Sequence, residues 1–392
     1  MRFFRDLSLS AATAGFVAVL VGFTSSVALV FQAAQSLSAT PEQLTSWMWA
    51  LGLGMGLCTA IPSLWLRKPV MVAWSTPGAA VVATAALAGG LAMAEAVGAF
   101  LASGALIVLV GATGWFERMM GRIPMALASA LLAGVLARFG LQALGAATTD
   151  WLLVLAMLVA YLLARRLCPR YAVVVTLAVG VAQALASGRM AWQPIPLEFA
   201  RPVFTAPEFS ARALVGMALP LFVVTMASQN LPGVAAIRAA GYVMPISRLV
   251  TITGLATLLL APFGAYALCL SAITAAICMG PQAHEEPARR YTAAVTCGVL
   301  YIAVGLMGGA VAGALRAFPQ ELVSAIAGLA LLGTIGSGLW TALADEGRRE
   351  AALLTFLVTV SGVVIAGIGS AFWGLVAGAF ALFVQHYGRS RA

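Results

Sequence analysis

The sequence predicts an all-α polytopic membrane protein of about fourteen spans, built as a 7+7 inverted repeat with short strands at two interrupted spans. Three observations predict it. Of its 392 residues 62% are hydrophobic and only 9% charged, with a mean hydropathy of +1.00, whereas a soluble domain carries roughly a quarter charged residues. Apolar runs long enough to cross a bilayer follow one another along the whole chain. Two of these runs are short and broken by Pro and Gly at corresponding places in the two halves, the pattern that marks a carrier's substrate site.

The runs begin at about Ala14, Trp47, Met71, Ala94, Ile123, Asp150, Tyr171, Ala213, Leu249, Gly264, Tyr291, Glu321, Ala351 and Ala371. Arg2 and Arg5 precede the first, but no small-residue cleavage site follows, so a first transmembrane helix is expected rather than a signal peptide. The runs at Met71 and Gly264 last about 15 to 17 residues before a Gly pair or Gly-Pro, short of the ~20 a full helix needs.

Lys and Arg set the orientation. With the N-terminus in the cytoplasm, 17 of the 22 basic residues fall inside, among them Arg67, Lys68, Arg118, Arg122, Arg165, Arg166, Arg170, Arg289, Arg290, Arg348, Arg349, Arg389 and Arg391. Four fall outside (Arg189, Arg201, Arg212, Arg316), and Arg138 lies within a span. This is a strong positive-inside signal, and it checks the span count, because one missed crossing would scramble every later loop. It predicts a multi-pass protein of the bacterial inner membrane with both termini cytoplasmic. The net charge of +9 and pI near 9.9 are spread through the loops rather than gathered on one face, so no nucleic-acid partner is expected.

The longest polar connection, Ser187 to Arg212, contains Pro194, Pro196, Pro202 and Pro207 and straddles the chain midpoint. It divides the chain into a first repeat (1–187, spans one to seven), an external linker (188–212) and a second repeat (213–392, spans eight to fourteen). Seven is odd, so the second half enters the membrane upside down relative to the first.

At the third span, Trp74, Ser75, Thr76, Pro77 and Gly78 form a polar island where a helix should run. Non-helical backbone at that depth survives only when buried in protein or lining a cavity. A strand-like segment followed by a half-helix fits: Pro77 in the first helical turn lacks an N–H that would be unpaired anyway, and Ser75 or Thr76 supplies a cap. The same logic places a second half-helix from about Ala265 to Met279, opening at Gly264 with Tyr266 beside it. Two such N-termini facing each other near mid-membrane suit an anion, a carboxylate in particular. The third island is Ser228, Gln229 and Asn230 before Leu231-Pro232-Gly233, where Pro and Gly are expected to break the eighth span. Trp74 and Tyr266 offer apolar walls for a ring.

Two charged residues are candidates for proton or anion coupling. Arg138 lies ~7 Å past the middle of its span, where it either snorkels outward or attracts anions; Glu95 opens the fourth span at the external surface, the position of an interfacial carboxylate. His284 and His386 fall in cytoplasmic segments. Cys58, Cys168, Cys269, Cys278 and Cys297 form no ligand cluster, and Gly308 to Gly313 reads as close helix packing. With no phosphate-binding loop and no catalytic constellation, neither an enzyme nor any metal or cofactor is expected.

Trp74 to Ala80, Ser228 to Gly233 and Ala261 to Thr274 together resemble the benzoate:proton symporter (BenE) family over nearly the whole chain. That family is similar in organisation to the nucleobase carriers and the sulfate or bicarbonate transporters. The resemblance implies a core domain of spans one to four and eight to eleven and a gate domain of spans five to seven and twelve to fourteen. The nucleobase carriers place Glu on their eighth and tenth spans; the comparable positions here are Gln229 and Ala265 or Tyr266, a departure that fits a carboxylate because an ionised Glu would repel it. The expectation is a secondary transporter importing benzoate or a similar aromatic carboxylate with a proton. An inorganic anion exchanger on the same fold and an anion channel stand as alternatives. The expected partners are a small aromatic carboxylate, a proton and the lipid bilayer, with a homodimer left open.

Overall fold

The two interrupted spans fold as strand-then-helix units that pair with each other, and helices pack around them. The computed structural model describes residues 2–24, 26–116, 125–167, 172–190, 199–281, 283–310, 317–365 and 370–386. Several expectations lie outside them: the span starts at Ile123 and Tyr171, Cys168, Pro194 and Pro196, Val311 to Gly313, and Arg118, Arg122, Arg170, Arg316, Arg389 and Arg391.

The first half runs α1 (Arg2–Asp6), α2 (Leu9–Thr24), α3 (Val27–Ser36), α4 (Pro41–Leu66), β1 (Val72–Trp74), α5 (Thr76–Gly89), α6 (Met93–Ala112), α7 (Met125–Gly145), α8 (Trp151–Leu167) and α9 (Ala172–Ala186). The second half runs α10 (Ala211–Arg238), α11 (Ile246–Leu260), β2 (Leu268–Leu270), α12 (Ile273–Met279), α13 (Tyr291–Leu306), α14 (Gln320–Leu343), α15 (Arg349–Ser361) and α16 (Ser370–His386). Among the described residues six helices, α4, α6, α7, α10, α11 and α14, are long and apolar enough to cross a membrane.

Local chemistry sets the ends of α4. Thr40 and Gln43 form a reciprocal capping box ahead of Pro41, and Arg67 in the left-handed conformation closes the helix. The helix then packs on α13 through glycines. A Cβ on Gly52 would come 2.5 Å from Gly305 Cα, and one on Gly298 would come 2.8 Å from the Gly56 carbonyl. Small residues at these crossings let the backbones approach where apolar burial between helices gives little in lipid.

β1 and β2 pair antiparallel, with Val72 opposite Leu270, Ala73 opposite Cys269 and Trp74 opposite Leu268. A two-stranded ribbon in a membrane protein leaves edge N–H groups that no water can satisfy. Hydroxyls and an amide from the surrounding helices accept them. Val70 and Val72 donate to Ser63 and Thr59 of α4 at 3.0 and 3.1 Å, Leu268 to Thr257 of α11 at 3.0 Å, and Leu270 to Asn230 of α10 at 3.0 Å. Polar residues inside these helices thus have a definite use, which is to hold strand backbone.

Two sequence expectations are corrected. The second half-helix does not open at Gly264 or Ala265; it starts at Ile273, after β2. Gly264, at φ +101°, instead ends the 3₁₀ turn Ala261–Phe263, and a Cβ there would collide with the Trp47 indole. The pairing with β1 holds Leu268–Leu270 extended, which outweighs its apolar, helix-compatible composition. Nor do Pro232 and Gly233 break the eighth span. α10 runs through them because a π turn at Met226–Asn230 precedes Pro232 and absorbs the misfit, while Gly233 lets Leu270 approach, its Cβ position being 2.7 Å from Leu270 Cβ.

Candidate functional site

A cavity of about 370 Å³ opens beside the two strand-to-helix junctions. Small-molecule sites begin at roughly this size. Ser26, Met55, Trp74, Thr76 and Pro77 line it from the first half, and Ser228, Gln229, Ser271, Ala272, Ile273, Thr274 and Tyr301 from the second. Gly22, Ala73, Ala227 and Pro232 complete these two sides, and the facing wall comes from α7 (Met125, Ser129, Leu132, Leu136) and α14 (Leu331, Ser337, Gly338, Thr341). Among the described residues every polar group on its surface is neutral.

The first junction is built by Ser75. Its N–H continues the ribbon to the Ala267 carbonyl at 3.0 Å, and its hydroxyl accepts the Gly78 N–H at 3.1 Å and the Thr225 hydroxyl at 2.9 Å. Ser75 is fully buried and caps α5. Pro77 has no N–H, so among the described residues the Thr76 N–H is the donor of the first turn left without a protein partner. Trp74 is fixed from three sides: its indole N–H donates to Ser26 Oγ at 2.8 Å, its backbone N–H meets Met55 Sδ at 3.2 Å, and Phe23 packs edge-on at 5.2 Å.

The second junction repeats this design. Ser271 donates its N–H to the Met71 carbonyl at 3.0 Å, and its hydroxyl accepts the Thr274 hydroxyl at 2.7 Å, with a longer contact from the Thr274 N–H at 3.4 Å. The Ala272 and Ile273 N–H groups remain without a protein partner among the described residues. Ser75 with Gly78 and Ser271 with Thr274 thus occupy the same relation to their strands, and the cavity borders both.

Of the residues singled out from sequence, Trp74, Thr76, Pro77, Ser228 and Gln229 line the cavity directly. Ser75 shapes it from behind, and Gly78 is packed against Leu221, where a Cβ would come 2.7 Å from Cδ1. Asn230 is not in the lining: its carbonyl oxygen holds the Leu270 N–H and its amide donates to Met226 Sδ at 3.3 Å. Gly264 and Tyr266 are not brought to the cavity either. Tyr266 is fully buried between Trp47 and Phe100, with ring centroids 5.9 and 6.0 Å away. Glu95 caps α6 by accepting the Ala92 N–H at 3.0 Å and pairs with Arg212 at 3.4 Å, and Arg138 lines a different cavity.

Sequence reasoning missed Ser271 to Thr274, Tyr301 and the α7 and α14 lining. The first could have been found by sliding the chain on itself, since Ser75 and Ser271 are separated by 196 residues, half of the 392-residue chain. The small hydroxyl residues of α7 and α14 carried no such signal, because Ser and Thr inside apolar helices look the same whether they pack or line a cavity.

Comparison with known proteins places the chain in a family. The family described as "Benzoate membrane transport protein" (BenE) matches residues 5–384. The chain is 47% identical over 365 residues to the inner membrane protein YdcO of Escherichia coli, covering 93% of each. It is 40% identical over 382 residues to the benzoate membrane transport protein of Acinetobacter baylyi, covering 97% of this chain and 96% of that one. Its fold is similar to that of the transmembrane domain of a cyanobacterium bicarbonate transporter, BicA, with a TM-score of 0.64 at 14% identity over 96% of this chain and 98% of that chain. SLC26A9 is also similar in fold, with a TM-score of 0.57 at 12% identity, over 95% of this chain and 65% of that chain. The chain therefore belongs to the BenE family of benzoate membrane transport proteins.

Proposed function

We propose that this protein imports benzoate or a similar aromatic carboxylate with a proton across the bacterial inner membrane, by alternating access. The observation that carries the proposal is the neutral cavity at the paired junctions. Thr76, Ala272 and Ile273 offer backbone donors without a protein partner among the described residues, at two helix starts where partial positive charge accumulates. Gln229, Ser228 and Thr274 add side-chain donors, and Met55, Leu132, Leu136 and Leu331 supply the apolar surface a ring requires. No acidic group among the described lining residues would repel the anion.

A two-domain, inverted-repeat organisation supports alternating access. Helix pairings come in sets that exchange when the halves are swapped: α4 with α13 and α11 with α6, α3 with α5 and α10 with α12, α2 with α12 and α10 with α5. The pairs α8–α9 and α15–α16 match in the same way. On this basis α2 to α6 and α10 to α13 form the core that carries the site, and α7 to α9 with α14 to α16 form the gate it moves against. The cavity reaches Met125 and Thr341, next to the Arg-rich connections we assign to the cytoplasm, so the conformation is inward-facing. The proton enters with the substrate or through cavity water, since Glu95 is engaged with Arg212 away from the site.

The test is uptake of labelled benzoate into proteoliposomes under an imposed pH gradient. Saturable, gradient-dependent uptake is expected. Uptake of other aromatic acids but not benzoate would change the substrate; uptake of no anion would remove the transport proposal.

A further inference from the structure

A second cavity, of about 930 Å³, lies between α3, α5, α7 and α14 toward the other end of these helices. Its walls are polar: Gln32, Gln35, Gln142 and Gln320 supply neutral amides, with Arg138 as the cation and Glu321 as the carboxylate among the lining residues. Glu321 stands in the first turn of α14, at the rim. Arg138 lies deeper, seven residues before the Gly145 end of α7, or ~10 Å along the axis. Among the described residues no carboxylate comes within 4.0 Å of its guanidinium. The guanidinium instead rests on Gly362 at the C-terminus of α15, where a Cβ would come within 3.2 Å of its Cζ and φ is +72°. A helix C-terminus carries about half a negative charge, enough to hold an arginine in place without neutralising it.

The two cavities nearly meet. Pro77 lines the inner one and Ala83 the outer one on α5, and Leu136 and Arg138 do the same on α7. An arginine that only needed water would not have to sit at the inner end of a vestibule, two residues along α7 from the lining of the first cavity. Its planar fork of donors is suited to a carboxylate.

We propose that Arg138 is an outer capture site for organic carboxylate anions, engaged before the substrate reaches the turns at Thr76 and Ile273. This rests on the transport function proposed above, in the import direction.

The experiment measures benzoate uptake into right-side-out proteoliposomes as a function of external concentration, for the unmodified protein, Arg138→Gln, Arg138→Lys and Arg138→Cys. Arg138→Gln is expected to raise KM about tenfold with the maximal rate within twofold, and Arg138→Lys to stay within about threefold of the unmodified KM. Arg138→Cys treated from outside with a membrane-impermeant cationic thiol reagent should regain a low KM, and with an anionic reagent should not; the unmodified protein, whose described cysteines are all buried, is the control. If Arg138→Gln fails to insert, the two reagents on Arg138→Cys carry the same comparison. A KM unchanged in Arg138→Gln, or equal recovery with both reagents, overturns the capture site while leaving the transport function intact. Absence of any anion uptake by the unmodified protein overturns both.

Discussion

Gln229 and Asn230 are neighbours in the sequence with opposite duties. Both are amides in a polar island, and from the sequence both offer themselves to a ligand. In the structure Gln229 faces the cavity, whereas Asn230 is fully buried with its oxygen on the Leu270 N–H. Gln229→Ala is therefore expected to leave unfolding temperature unchanged without substrate but to shrink the stabilisation that added benzoate confers, read by thermal shift in detergent. Asn230→Ala should do the reverse first: a buried strand donor loses its partner, at a cost of about 1–3 kcal/mol, so the substrate-free protein melts earlier. If both variants behave alike, the division of roles is wrong. The distinction was invisible in the sequence because it depends on a strand forty residues further along. Glu95 gives a third case, since its carboxylate caps α6 and meets Arg212 at the surface. Glu95→Gln should keep pH-driven uptake within about twofold and lose about 1 kcal/mol of stability at most; collapse of coupling would return Glu95 to the proton route.

At the scale of elements, what the sequence made legible was the interruption, not its exact form. Pro77 behind Ser75 marked a strand ending in a capped helix, and the structure has that unit. Gly264 behind Pro262 gave an equally strong signal, but there it ends a helix and the half-helix starts later, at Ile273 behind Ser271, with no Pro or Gly to mark it. The apolar residues Leu268 to Leu270 fit either a helix or a buried strand, and only the partner Val72–Trp74 decides between them. The π turn Met226–Asn230 is a second feature that composition hides. It widens α10 by one residue just where Ser228 and Gln229 reach the cavity. Deleting Ala227 should convert it to an ordinary α turn, which keeps the flanking segments in register but removes the bulge that carries Ser228 and Gln229 into the cavity. The expected result is a protein that inserts and remains monodisperse but shows no benzoate-dependent thermal shift; preserved binding would mean that the π turn does not position these groups.

For the whole molecule, the two cavities make a geometric demand. A carrier must expose its site to one side at a time, whereas a channel leaves a continuous path. Here the inner cavity contains the junctions and ends at Thr341, the outer vestibule ends at Thr84 and Phe139, and a short stretch of α5 and α7 separates them. Moving α5 and α12 as one body past α7 and α14 would open the outer side and close the inner one. Thr341 and Gln142 are exposed and line opposite cavities, so each can report on its own side. In Gln142→Cys, an impermeant thiol reagent should react from outside intact cells; in Thr341→Cys it should react only after permeabilisation, which also fixes the orientation inferred from the arginines. Conditions that trap the outward-facing state, such as excess external benzoate with an inhibitor bound outside, should speed labelling at Gln142→Cys and slow it at Thr341→Cys. Opposite changes at the two positions are what a rigid core passing a gate requires. Changes of the same sign, or labelling of both positions at full rate under all conditions, would instead describe a pore through which both sides are open together.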